Sequence, residues 1–112
     1  MAGISTHILD TARGRPAAQV PVRLEIFAGG SFRQLGAGTT DSDGRNRGLL
    51  GDTALIAGRY RLTFDTAAYA AATGGTAFFP EVQIVFEISD ATQHYHVPLL
   101  LSPFGYSTYR GS

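Results

Sequence analysis

Apolar and polar residues alternate with a period of two along most of this chain, the mark of half-buried β-strands. Ile4 to Leu9 alternates, with Thr6 and Ile8 on one face and His7 and Leu9 on the other. Asp10 to Pro16 breaks the pattern with Gly14 and Pro16. Val20 to Phe27 predicts a strand with Val20, Val22, Leu24 and Ile26 inward and Arg23 and Glu25 outward. Gly29-Gly30 is a hairpin signal, and Ser31 to Thr40 returns as a weaker strand. Thr40 to Arg45 (TDSDGR) reads as a turn, because Asp and Gly tolerate left-handed backbone, and Arg47 to Leu50 is expected to add a short edge strand. Arg59 to Asp65 turns Tyr60, Leu62 and Phe64 inward. Thr66 to Thr73 is alanine-rich and predicts the chain's one short helix, with Asp65 or Thr66 as cap and Gly74-Gly75 as stop. Pro80 to Ile88 alternates again, placing Val82, Ile84, Phe86 and Ile88 on one face. Asp90 to Gln93 turns the chain into a terminal hairpin, His94 to Leu101 and Gly105 to Tyr109, hinged at Ser102-Pro103. Seven or eight short strands with one helix predict a mainly β, two-sheet sandwich.

Composition narrows the class. A chain of 112 residues reads as a single domain, 1–112, with 44% hydrophobic residues to build one core. Formal net charge is zero and the nine basic residues, all arginine, are scattered, so no nucleic-acid partner is expected. With no cysteine, disulfides and thiol catalysis are excluded and a reducing, cytoplasmic setting is the expectation. No apolar run approaches a membrane span, and the first residues show no secretory leader.

The chemistry concentrates near the end, in HYHVPLLLSPFGYSTYRGS. Parity puts Tyr95, Val97, Leu99 and Leu101 on one face of the penultimate strand and His94, His96, Pro98 and Leu100 on the other. Two imidazoles roughly 7 Å apart on an apolar face point to a site. The chain closes on Tyr109-Arg110-Gly111-Ser112: an aromatic, a guanidinium and a free carboxylate directly after a strand, which reads as a docked tail. Two metal readings are weak. A calcium loop set with Gly44 sixth has Leu50 where a bidentate glutamate belongs. His7, His94 and His96 could supply zinc with three imidazoles, but no acidic residue stands near to orient them.

HYHVPLLLSPFGYSTYRGS resembles the C-terminal signature of the 5-hydroxyisourate hydrolases, the transthyretin-related enzymes of urate breakdown. The Tyr109–Ser112 ending is its most specific part; transthyretin shares the Leu-Ser-Pro and Tyr-Ser-Thr segments but lacks that ending. ISTHILDTARGRPA, TTDSDGR and FFPEVQIVFEI match the family's other blocks in order. The resemblance implies the transthyretin fold, with the first strand and the terminal hairpin in one sheet. Parity then places His7, His96, Ser107 and Tyr109 on that sheet's outer face, among Leu9, Pro98 and Leu100. It implies a homotetramer, a dimer of dimers, whose opposed faces enclose a channel with the active sites.

The implied reaction is metal-independent, cofactor-free hydrolysis of the lactam bond of 5-hydroxyisourate, giving a carboxylated ureidoimidazoline on the way to allantoin. The implied catalytic set is His7, Arg45, His96 and Ser112. His7 and His96 activate water and move protons, Arg45 orients the substrate and stabilises negative charge, and the Ser112 carboxylate braces a histidine or Arg45. His7, Arg45, Tyr109 and Arg110 are the implied substrate contacts, and His94 is read as a flanking surface residue. Which histidine is the base stays open. The rival reading is a transthyretin-like small-molecule carrier without catalysis. His7 stands where transthyretin has a lysine, and an imidazole can take and give protons near pH 7 where a lysine stays charged.

Overall fold

The computed structural model describes residues 2–112. Nine strands and one helix follow in order: β1 (Gly3–Asp10), β2 (Arg15–Pro16), β3 (Pro21–Ala28), β4 (Ser31–Thr39), β5 (Arg45–Asn46), β6 (Gly58–Phe64), α1 (Thr66–Thr73), β7 (Val82–Ile88), β8 (His94–Ser102) and β9 (Gly105–Thr108). They form two sheets, one in the order β2-β1-β8-β9 with β5 against β1, the other in the order β4-β3-β6-β7. The expected mainly β two-sheet architecture is observed.

The alternating residues explain the layering. Ile4, Ile8, Tyr95, Val97, Leu99 and Leu101 from the first sheet are buried with Val22, Leu24, Ile26, Tyr60, Leu62, Phe64, Val82, Ile84 and Ile88 from the second. Each such side chain contributes about 1.5–3 kcal/mol by leaving water. Phe64 is fully buried, so Phe64→Ala would cost about 3–5 kcal/mol through the cavity it leaves. The β3–β4 hairpin closes through Gly29 and Gly30 at φ 63° and 88°. Ala28 pairs Ser31 across this two-residue turn. Both turn residues are left-handed, which is what makes glycine the fitting residue there. Asp65 caps α1 by accepting from the Ala68 N–H at 3.0 Å, and Gly74 ends it at φ 71°.

Three expectations are corrected. The edge strand expected at Arg47–Leu50 does not form; the extended pair is Arg45–Asn46, and Leu49 instead inserts into the core. The break between Asp10 and Pro16 contains the two-residue strand β2, paired back on β1. Glu25 has outward parity but is buried, because Arg61 on β6 lies directly opposite and its Nε donates to Glu25 Oε1 at 2.8 Å.

β1 and β8 pair in parallel, although the entire second sheet lies between them along the chain. That pairing sets the outer face of the first sheet.

Candidate active site

The β1–β8 register brings polar groups together that sequence distance separates. Gly3 faces His94, Ser5 faces His96, His7 faces Pro98 and Leu9 faces Leu100. On the far edge of β1, Arg45 faces His7, and on β9, Ser107 faces Leu100. The expected outer-face group of His7, His96 and Ser107 is therefore assembled, with Arg45 at its margin.

The local sequence places Arg45. Asp41 Oδ1 accepts from the backbone N–H groups of Asp43 at 2.9 Å and Arg45 at 3.0 Å. The Asp41 N–H donates to the Arg45 carbonyl at 2.8 Å, and the Ile8 N–H donates to the Gly44 carbonyl at 2.8 Å. TDSDGR is thus a carboxylate-pinned turn stitched to β1. The Arg45 N–H, the largest influence, holds the Asp41 carboxyl below the usual carboxylate range.

Ser5 joins the two histidines of β8. It is only 4% exposed, and its Oγ lies 2.8 Å from His94 Nε2 and 2.7 Å from His96 Nδ1. His94 is exposed, as expected of a flanking surface residue, and it also shares the Ser5 hydroxyl with His96. His96 is half-buried. Burial chiefly, then the Arg45 cation, then His7, His94 and Arg47, push its pKa below the ordinary 6.5. With Nδ1 engaged by Ser5, Nε2 is the nitrogen of His96 left for chemistry.

The tail docks as its composition indicates. Leu99 faces Thr108 and His96 faces Gly111, so one continuous register sets Tyr109 opposite Pro98 and Arg110 opposite Val97. Pro98 has no N–H to offer the ladder. The Gly111 N–H donates to the His96 carbonyl at 2.8 Å. Gly111 also lies against the imidazole: a Cβ there would stand 2.5 Å from His96 Cδ2 and 3.2 Å from Cγ. Only glycine lets the tail close on that ring.

Ser5, Arg45, Arg47, His94, His96 and Ser112 line one open pocket of ≈ 240 Å³. Among the described residues, neither Arg45 nor Arg47 has a carboxylate within 4 Å, and the Ser112 carboxylate likewise enters no ion pair. The bracing contact expected of Ser112 is thus not made within this chain. Arg110 is not brought to the pocket: its guanidinium lies over the Tyr95 ring, 4.4 Å from the centroid, and donates to Gln93 Oε1 at 2.7 Å. Inner-face parity turns it away from His96. Tyr109 keeps outer-face parity and is 57% exposed. Among the described residues, no three His, Cys, Asp or Glu side chains converge as a metal-ligand set.

A roomier cavity of ≈ 300 Å³ lies beside α1, far from this chemistry. Its acid, Asp10, is already satisfied by the Tyr69 hydroxyl at 2.7 Å and the Arg13 N–H at 3.1 Å. The smaller pocket is therefore the candidate site. Sequence reasoning had missed Ser5, Arg47 and the Gly111 contact. Ser5 has the same parity as His7 within β1, but only the pairing with β8 shows what it touches.

This fold is that of a known class of proteins. Residues 4–111 match the HIUase/Transthyretin family, and the chain belongs to it. It is similar to the 5-hydroxyisourate hydrolase of Salmonella dublin, 48% identical over 97% of this chain and 80% of that protein. Among solved structures it resembles Klebsiella pneumoniae 5-hydroxyisourate hydrolase, with TM-score 0.86 and 40% identity over the full length of both chains. It also resembles sea bream transthyretin in complex with thyroxine, with TM-score 0.90 and 35% identity over 97% of this chain and 94% of that one.

Proposed function

We propose that this protein hydrolyses the lactam bond of 5-hydroxyisourate in urate degradation. The observation that carries the reading is a half-buried imidazole in one pocket with two arginines that have no carboxylate within 4 Å among the described residues, on the outer sheet face of a chain in this family. Hydrolysis needs a base for water and donors for the oxyanion. His96 Nε2 takes the water proton. Arg45, with Arg47 beside it, presents guanidinium donors to the substrate's oxygens and stabilises the negative charge as the carbonyl becomes tetrahedral. His7, facing Arg45 across the β1–β5 pairing, gives or takes the second proton at the ring nitrogen that leaves. Tyr109 contacts substrate from the tail, and the Ser112 carboxylate sets the field around the arginines. Arg110 holds the tail in place through Tyr95 and Gln93.

The outer face carries Leu9, Pro98 and Leu100 around these polar groups, which supports a homotetramer with such faces opposed across a channel. A cytoplasmic setting fits the cysteine-free composition. No helix among the described residues is long and apolar enough to cross a membrane.

The test is the ultraviolet decay of freshly generated 5-hydroxyisourate. Acceleration over the spontaneous rate that survives exhaustive chelation is expected. A decay equal to the spontaneous rate would overturn the reading and leave the carrier alternative, and activity lost to chelation and restored by zinc would overturn the metal-independent mechanism.

A further inference from the structure

The mechanism above uses His96 and leaves Ser5 and His94 without a task, although the three are joined. A serine hydroxyl has one proton to give and lone pairs to receive. Ser5 Oγ sits within hydrogen-bond distance of one nitrogen on each ring, so at most one imidazole can accept from it, and the other must then donate to it. The two rings therefore cannot choose their tautomers independently. When His96 Nδ1–H donates to Ser5 and Ser5 donates to His94 Nε2, His96 Nε2 is bare and ready to act as base.

We propose that Ser5 passes protons between His96 and solvent-exposed His94, making the three side chains one relay during hydrolysis. The inference rests on the hydrolase reading above. The steps balance. His96 Nε2 takes a proton from water as the hydroxide oxygen bonds to the substrate carbonyl carbon. His96 Nδ1 passes its proton to Ser5 Oγ, and Ser5 passes its own to His94 Nε2. His96 is left neutral, with its proton now on Nε2, and the positive charge rests on His94. The reverse shift resets the chain: His94 returns its proton through Ser5 to His96 Nδ1 as the proton on His96 Nε2 leaves to product or water.

The surroundings favour that direction. Arg45 on β5, Arg47 beyond it, and His7 on β1 all oppose a cation on half-buried His96, and the Ser112 carboxylate is the negative group lining the pocket. His94 is exposed, so water solvates its cation. Gly3, opposite His94 across the strand pair, leaves room for the ring: a Cβ there would stand 3.2 Å from His94 Nδ1.

A purely orienting Ser5 would also pin the His96 ring, so the test must separate holding from carrying. Ser5→Ala removes both hydrogen bonds. His94→Gln leaves Ser5 a hydrogen-bonding partner on an exposed position but cannot carry a proton. On 5-hydroxyisourate, each variant is expected to lose on the order of tenfold or more in kcat, with KM within about twofold of the parent. The double variant should fall no further than the worse single one, because the residues act as one unit. Substrate-free NMR titration of the imidazole nitrogens should show His94 and His96 titrating in shared steps, and Ser5→Ala should separate them. Full turnover in His94→Gln would overturn the relay, whatever Ser5→Ala does. So would independent titration of the two rings in the parent. A parent without hydrolase activity would sink the functional reading instead, while the NMR titration would still decide the coupling.

Discussion

The outer faces of the two sheets handle charge in opposite ways. On the β4-β3-β6-β7 sheet, charges are matched: Arg23 with Glu25 and Glu81, Arg59 with Glu87, and Arg61 with Glu25. Arg61 also covers the Phe32 ring, 4.1 Å from its centroid. On the outer face of the β2-β1-β8-β9 sheet, Arg45, Arg47, His94 and His96 line one pocket, and among the described residues no carboxylate side chain lines it. A matched surface is complete in itself. An unmatched set of cations and imidazoles on a partly apolar face is complete only when something anionic or polar occupies it. The difference separates a face that serves stability from one that serves chemistry.

The strongest way to break that division is His96→Asn. It should lower turnover on 5-hydroxyisourate by roughly a thousandfold while leaving the fold intact, since the base is lost. A loss under tenfold in steady-state kinetics would remove His96 from the centre of the site.

The tail gives a graded second probe. Removing residues 109–112 takes away Tyr109 and the Gly111 contact with His96, and should cost on the order of a hundredfold in turnover. The melting temperature should hardly move, because the residues removed lie outside the core. Gly111→Ala is milder: its methyl group collides with the His96 ring, and about tenfold in kcat is expected from misplacing the base. If Gly111→Ala matches the parent in turnover, and a structure of the variant shows His96 unmoved, the tail does not set the ring.

The pH dependence sharpens the same contrast. Burial and the Arg45 cation depress the His96 pKa below 6.5, so kcat/KM should hold steady as pH falls through the usual imidazole range and decline only below it. Stability follows the same sign. The depressed group favours the folded state fully above its unfolded pKa, and that contribution is lost as pH falls toward the folded value. A rate that already halves at pH 7 would contradict a depressed base.

The smallest effect on turnover belongs to the other face. Arg61→Ala leaves Glu25 buried without the guanidinium that chiefly holds its pKa down. It should cost about 1–3 kcal/mol in denaturant unfolding and change kcat by less than about twofold. A large loss of activity in Arg61→Ala would erase the division between the two faces.

Much of this was legible in the residues. Period-two alternation marked β1, β3, β6, β7 and β8 because a strand with one buried face must alternate. Asp65 and Gly74 bracketed α1 because a cap and a left-handed stop are local chemistry. The parity of His94 and His96, and the turn that carries Arg45, were visible for the same reason. Likeness to a family pointed to His7 in the first strand and to His96 and Tyr109 in the terminal motif.

What the sequence by itself determined is therefore local: strand faces, turn positions, the helix and its ends, and a chain terminus too rich in chemistry to hang free. Only the tertiary structure decided that Ser5 stands opposite His96, some ninety positions along the chain. It alone turned Arg110 onto Tyr95, folded Leu49 into the core, and laid Gly111 on the His96 ring. Parity says which face a side chain takes, whereas register says which neighbour it meets. Register between distant strands comes from packing a whole sheet at once, with the apolar sets of both strands buried and every backbone hydrogen bond aligned. No window of sequence around Ser5 holds that information.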